Sequence, residues 1–132
     1  MTVTIDNQAG LPAVDSLELR RCLGSFVTGV TVVTALDANG QPVGITANSF
    51  SSLSLDPPLI VWSLRLSSRS FNTYQNAKHF AVNILAQDQV NVSNRFASSG
   101  INRFEGISHR AGLCDVPLID GCASYLECSL EA

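Results

Sequence analysis

The sequence predicts a mainly β fold, a small closed or partly closed barrel with a few short helices. Two strand-like runs on either side of the turn DANG, at 37–40, predict a hairpin. The later strands are separated by short helical segments, and several strands are apolar on both faces, which is typical of a small barrel. A doubly wound nucleotide-binding fold is disfavoured because no G-x-G-x-x-G follows a strand and no G-x-x-x-x-G-K-[ST] occurs.

Length and composition indicate a single domain with a buried core, since 45% of the 132 residues are hydrophobic. We expect a flexible N-terminal arm over 1–13 and one domain over 14–132. The net charge of −3 and the scattered basic residues argue against a nucleic-acid surface. No apolar run reaches the roughly 20 residues that span a bilayer, and the first residues do not form a signal peptide, so we expect a cytoplasmic protein. The four cysteines form no C-x-x-C pair, and we interpret them as reduced thiols rather than as a zinc site.

The first half of the chain predicts one helix and three strands. A capping-box pattern and helical apolar spacing predict a helix over 15–25. The run VTVVTAL at 30–36 predicts a strand with both faces covered or nearly so. Its hairpin partner is the stretch that opens at Gly44. The run LIVWSL at 59–64 follows Asp-Pro-Pro, and its short length favours a strand over a helix.

The second half alternates short helices with strands that each have one apolar face. Serines ahead of NTYQNA predict a capped helix start near 70. The run HFAVNIL at 79–85 alternates as a strand does, and a weaker helix is predicted over 87–98. Residues 99–121 are rich in glycine and predict loops. The last strand, over 124–130, alternates apolar and polar residues.

A block of short polar side chains follows the start of the second hairpin strand. Its members are Thr46, Asn48, Ser49, Ser51, Ser52 and Ser54. They could coat one solvated strand, or they could hold a flat polar ligand, and the composition alone leaves both interpretations open. Asp-Pro-Pro at 56–58 ends the block.

The chemistry that these residues favour is positioning rather than proton transfer. The acids are dispersed, His79 begins an apolar strand, and only His109, in a loop, is a candidate residue near a ligand. Hydride transfer through a bound cofactor needs orientation and hydrogen bonds, because the cofactor supplies the electronics. Backbone amides and short side chains of the polar block could serve the polar edge of a flavin ring.

A second polar group lies across one predicted strand from the block. Ser67, Ser68, Arg69 and Ser70 combine hydroxyls, a cation and a predicted helix start, which suits a ribityl phosphate. The alternative is a plain helix cap with an exposed arginine. Because the two groups flank one strand, they can lie close together.

Four runs of the sequence together resemble the short-chain flavin reductase family: TGVTVVTA; GITANSFSSLSLDPPLI; SSRSFNTYQNAKHFAVNILAQDQ with RFA soon after; and PLIDGCASYLEC. The resemblance covers about 17–131, and the central block is its most specific part. It implies the FMN-binding split-barrel fold, a homodimer, FMN or FAD as cofactor and NADH or NADPH as co-substrate. Such proteins are typically small reductase partners of a separate flavin monooxygenase.

The resemblance also implies the residues of the binding site. Near the flavin ring and ribityl chain it places Thr46, Ala47, Asn48, Ser49, Ser51 and Ser52. Near the phosphate it places Ser67, Ser68 and Arg69. Phe96 and Arg103 are further candidates near the flavin or the nicotinamide. No catalytic residue is implied, and no metal site is expected.

The resemblance departs from the family pattern after the LEC run. Family members usually continue through a Gly-Asp-His segment and closing strands, so we expect a domain that lacks the usual C-terminal segment. Two alternatives to a working NAD(P)H-dependent flavin reductase follow. One is a non-catalytic flavin-binding module, and the other is a split-barrel oxidase of the pyridoxamine-phosphate type, which would need a basic pocket for its substrate phosphate.

Overall fold

The computed structural model describes residues 2–4, 30–47 and 50–131. The strands are β1 Thr2–Thr4, β2 Thr31–Leu36, β3 Pro42–Ala47, β4 Ser51–Leu55, β5 Pro58–Val61, β6 His79–Ile84, β7 His109–Ala111, β8 Pro117–Ile119 and β9 Ser124–Glu131. The helices are α1 Phe71–Asn76 and α2 Val90–Ala97, and a 3₁₀ turn covers Leu113–Asp115. The predicted mainly β fold is confirmed.

Seven strands form one antiparallel sheet in the order β3-β2-β6-β9-β1-β5-β4, and β7 pairs with β8 in a separate ribbon. The predicted hairpin is β2–β3, with Leu36 paired to Pro42 at its closed end. Asp37 holds this turn because its Oδ1 accepts hydrogen bonds from the amides of Asn39 and Gln41, both at 2.9 Å. Gly40 has φ +76°, which a residue with a side chain rarely adopts.

One face of the sheet carries the main core. The predicted alternation is confirmed in β6, where Phe80, Val82 and Ile84 all enter this core, and in β9, where Leu126 and Cys128 do the same. The strands pair directly, with Val82 opposite Leu126. The period-2 pattern therefore indicates which face of each strand enters the main core.

The other face of the sheet is covered by α2 and by the β7–β8 ribbon, which is why the central strands are buried on both sides. Thr34 Oγ1 donates to the Pro117 carbonyl at 2.6 Å. The fully buried Asn83 donates to the Val32 carbonyl at 2.9 Å and accepts from the Ile119 amide at 2.9 Å. These bonds attach the ribbon to β2 and β6 and satisfy the buried polar groups.

Three parts of the structure differ from the sequence-based prediction. The strand expected over 59–64 ends at Val61, after which the chain leaves the sheet. Thr2–Thr4, expected in a flexible arm, form β1 between β5 and β9. The loop-rich segment 99–121 contains the β7–β8 ribbon. The helix predicted over 15–25 lies outside the described residues.

No helix in the described ranges has the length and apolar character needed to cross a membrane.

Candidate functional site

A cavity of about 250 Å³ opens between the end of β3 and the segment that follows β5. Its lining residues are Ile45, Thr46, Ala47, Trp62, Ser63, Leu64, Arg65 and Ser68. The lining combines apolar side chains with hydroxyl groups and a guanidinium. This arrangement suits a flat aromatic ligand with a polar or anionic extension.

The loop after β5 is organised by backbone and serine hydrogen bonds. The Ser68 amide donates to the Arg65 carbonyl at 3.0 Å, and the Phe71 amide donates to the Ser68 carbonyl at 3.1 Å. Ser68 Oγ accepts a hydrogen bond from the Ser70 amide at 3.2 Å. Ser70 is the N-cap residue of α1 as predicted, although its own side chain makes no capping bond. The turns bring Ser68 back to the cavity.

Trp62 forms part of the apolar wall and is fully buried. Its ring meets Tyr74 of α1 edge to face, with the centroids 5.4 Å apart, and it also contacts Phe80 at 6.0 Å. Tyr74 in turn donates its hydroxyl to the Val33 carbonyl at 2.7 Å. Burial raises the pKa of the Tyr74 phenol, partly offset by the nearby Arg103 charge, so this hydroxyl stays protonated. The wall is therefore connected to both α1 and β2.

The electrostatic character of the cavity is neutral to positive. Among the described residues that line it, none carries a carboxylate or an imidazole. Arg65 lines the cavity, and Arg69 is exposed in the same loop. An anionic group in the cavity would meet the Arg65 guanidinium without a lining carboxylate to repel it.

The structure brings together part of the predicted site. Thr46 and Ala47 line the cavity with Ser68, across the strand that was expected to separate them. Ser67 and Arg69 are exposed on either side of Ser68. One polar residue of each predicted group, Thr46 and Ser68, therefore lies at this cavity.

The rest of the polar block is only partly described. Ser51 is exposed on β4, opposite Val61, as the solvated-strand interpretation expects for this residue. The backbone of Ser52 pairs with Ile60. Asn48 and Ser49 lie outside the described residues, so their predicted role stays a prediction.

Phe96 and Arg103 lie away from this cavity, and their predicted role near the flavin or the nicotinamide stays a prediction. Phe96 is fully buried, and its ring is so close to Gly44 that a Cβ there would lie 2.6 Å from a ring carbon. Arg103 donates from Nη1 to the Gly44 carbonyl at 2.8 Å. Neither residue lines the cavity. His109 is exposed on β7 and packs against Phe104, also away from the cavity.

Sequence reasoning missed the segment from Trp62 to Arg65. The run LIVWSL was interpreted as a strand throughout, whereas its last three residues turn into the cavity wall. A signal was available in RLSSR, at 65–69, where one arginine precedes the serine pair and another follows it. Only Arg69 was considered.

A sequence profile for the flavin reductase like domain matches residues 23–132. The chain belongs to this family. It is 46% identical over 112 residues to the reductase component of a flavin-dependent trigonelline monooxygenase from Acinetobacter baylyi, covering 85% of this chain and 36% of that protein. It is 43% identical over 118 residues to an FMN reductase (NADH) from Agrobacterium fabrum, covering 89% of this chain and 67% of that protein.

A solved flavin reductase structure has the same fold. The NADH:FAD oxidoreductase of Streptomyces globisporus, in complex with NAD and FAD fragments, is 35% identical with a TM-score of 0.73, covering 89% of this chain and 71% of that one. The split-barrel fold class predicted from the sequence is thereby confirmed. The chain spans only 36–51% of the length of three relatives that are 42–46% identical to it.

Proposed function

We propose that this chain is the flavin-binding domain of an NAD(P)H:flavin oxidoreductase that supplies reduced FMN or FAD to a separate monooxygenase. The observation that carries the proposal is the cavity between β3 and the loop after β5, where Thr46, Ala47 and Ser68 meet beside Arg65. Relatives named as reductase components of monooxygenases support the proposal that the reduced flavin is delivered to such an enzyme. When bound, the flavin accepts a hydride at N5 from reduced nicotinamide and carries two electrons to the oxygenase.

The described residues fit a flavin. Ile45, Ala47, Trp62 and Leu64 offer an apolar wall to the flat ring. Ser63 and Ser68 offer hydroxyl groups, and Arg65 offers a cation for a phosphate. Asn48, Ser49, Ser51 and Ser52 remain our candidates for the polar edge of the ring, with Ser67 and Arg69 for the phosphate.

The protein's contribution to the reaction is orientation. The cavity lining holds no carboxylate or imidazole among the described residues, and a hydride transfer needs none. Trp62 is held on two sides by Tyr74 and Phe80, so the wall against which the ring would lie is rigid. A rigid wall limits the loss of entropy on reaching the reactive geometry.

We also propose a cytoplasmic homodimer. Cys114 and Cys122 are free thiols, which suits a reducing compartment. β4 stands at one end of the strand order, and the side chain of Leu53 within it is 55% exposed, so a second copy could cover this edge. Sedimentation equilibrium of the purified chain should give twice the chain mass, and a monomer at micromolar concentration would contradict the dimer.

Anaerobic titration tests the function directly. FMN and FAD are added in turn while flavin absorbance is followed, and NADH or NADPH is then added to the complex. We expect bound flavin and its bleaching by at least one nicotinamide. Flavin binding without bleaching would identify the non-catalytic module instead, and no binding of either flavin would refute the proposal.

The phosphate site is tested by comparing FMN with riboflavin, which lacks the phosphate. Arg65→Ala and Arg69→Ala should each weaken FMN by about 1.5–3 kcal/mol and leave riboflavin nearly unchanged, because only FMN carries the charge. Arg110→Ala, which removes an exposed arginine on β7, is the matched control. Equal losses for the two ligands would show that neither arginine meets a phosphate.

A further inference from the structure

The two faces of β3 have different neighbours. Val43, Ile45 and Ala47 pack against the main core, and Ile45 and Ala47 line the candidate cavity together with Thr46. Gly44 and Thr46 point to the opposite face, since alternate residues of a strand do so. Contacts that hold Gly44 and Thr46 therefore also fix the position of the β3 backbone, which carries Ile45 and Ala47 at the cavity.

Three contacts hold that second face. The Phe96 ring lies directly against Gly44, in space that any Cβ would fill. Thr46 Oγ1 donates to the Ser93 carbonyl of α2 at 2.6 Å. Arg103 Nη1 donates to the Gly44 carbonyl at 2.8 Å. Two side-chain hydrogen bonds and one close packing contact thus hold two residues of the strand, Gly44 and Thr46.

Arg103 is itself held in place by the loop that follows α2. Its Nε donates to the Ser98 carbonyl at 2.7 Å. Arg95 Nε donates to the Arg103 carbonyl at 2.7 Å, and Arg95 Nη2 donates to the Asn102 carbonyl at 2.9 Å. These hydrogen bonds hold the loop against α2 and direct the Arg103 guanidinium toward β3.

We propose that Arg103 and Thr46 are positioning residues for the flavin cavity, because their side-chain hydrogen bonds act through the backbone of β3. They fix β3 against α2, so that Ile45 and Ala47 keep one position in the cavity wall. Removing either side chain loosens the wall and weakens binding of the whole ring system. The identity of the ligand as a flavin rests on the proposed function.

The choice of ligand separates positioning from direct contact. Arg103→Met should weaken riboflavin and FMN by the same factor, about tenfold, because the ring is what the wall positions. A loss confined to FMN would show that Arg103 contacts the phosphate and would overturn the proposal. Arg110→Met makes the same chemical change on β7 and should leave both affinities unchanged.

Thr46 allows a rescue experiment. Thr46→Ser keeps the hydroxyl that bonds to Ser93 and should retain the affinity for both flavins, whereas Thr46→Val should lose about tenfold. If both variants lower the melting temperature equally and neither changes flavin affinity, Thr46 has a structural role only and the proposal fails.

Hydrogen exchange provides a readout that does not depend on flavin. Amides of 44–47 should exchange faster in Arg103→Met than in the Arg110→Met control, while the β6 amides stay protected in both. Unchanged exchange at 44–47 would overturn the inference even in a protein that binds no flavin. Failure of the wild-type protein to bind flavin, with faster exchange in Arg103→Met, would instead refute only the proposed function.

Discussion

The rings of Trp62 and Tyr74 meet edge to face, with centroids 5.4 Å apart and planes at 83° to each other. Trp62 lines the candidate cavity, and Tyr74 belongs to a helix behind it. The cavity wall therefore depends on a side chain that itself has no contact with the cavity. An edge-to-face pair of this kind adds stabilisation beyond the burial of its area.

Tyr74→Phe keeps this ring contact and removes the hydroxyl that donates to Val33. We expect the free energy of unfolding to fall by about 1–2 kcal/mol, because a buried carbonyl loses a donor. Urea denaturation measures the change. Ser98→Ala, which removes an exposed hydroxyl bonded to Asn94, should cost under about 0.5 kcal/mol. Equal losses of unfolding free energy in the two variants would show that the buried hydrogen bond of Tyr74 contributes no more stability than the exposed bond of Ser98.

Asn83 and Thr34 form a buried pair, with Asn83 Nδ2 donating to Thr34 Oγ1 at 3.0 Å. Asn83→Leu should lower the free energy of unfolding by about 2–4 kcal/mol, since the Ile119 amide loses its acceptor. In a double-mutant cycle with Thr34→Val, we expect a coupling energy of about 0.5–3 kcal/mol. If the losses from Asn83→Leu and Thr34→Val simply add, the two side chains are not coupled, which would contradict a stabilising hydrogen bond between them.

The position of Ala47 in the cavity wall predicts a steric effect. Ala47→Leu adds bulk on the cavity side and should weaken FMN binding by at least about tenfold. Fluorescence titration of FMN gives the dissociation constant. Ala111→Leu adds the same bulk to an exposed position of β7 and should leave the constant unchanged. Tight FMN binding by Ala47→Leu would place the flavin elsewhere.

Strand pairing and burial were predictable because they depend on local periodicity. The alternation of Phe80, Val82 and Ile84 indicates which face of β6 enters the main core. The direction of the Arg103 side chain was not predictable in this way, because its partner Gly44 is 59 residues away in sequence. A motif match to the family identifies which residues correspond. It does not show which distant backbone or side-chain groups those residues contact in the folded chain.

The carboxylate of Asp120 predicts a pH dependence of stability. Hydrogen bonds from Ser108, and then from Arg110, lower the pKa of this group. A depressed pKa in the folded state adds stability above the unfolded value of about 3.9 and loses it as the pH falls through the folded value. Asp120→Asn should therefore be less stable than the wild type at pH 6, and the difference should shrink below about pH 4.

Unfolding free energies from pH 6 down to pH 3 measure this effect. Ser108→Ala should reproduce part of it, because it removes one of the two donors. A difference between Asp120→Asn and the wild type that stays constant with pH would show that the carboxylate charge is not involved.

The position of β1 bears on the order in which the strands assemble during folding. Thr2–Thr4 pair with Leu59–Val61 on one side and with Ser129–Glu131 on the other. The pairing of β1 with β9 therefore joins residues that lie more than a hundred positions apart in the sequence. Contacts of such wide sequence separation form slowly, because the loop they close is long. We expect the strands from β2 to β6 to assemble before the pairing of β1 with β9 forms.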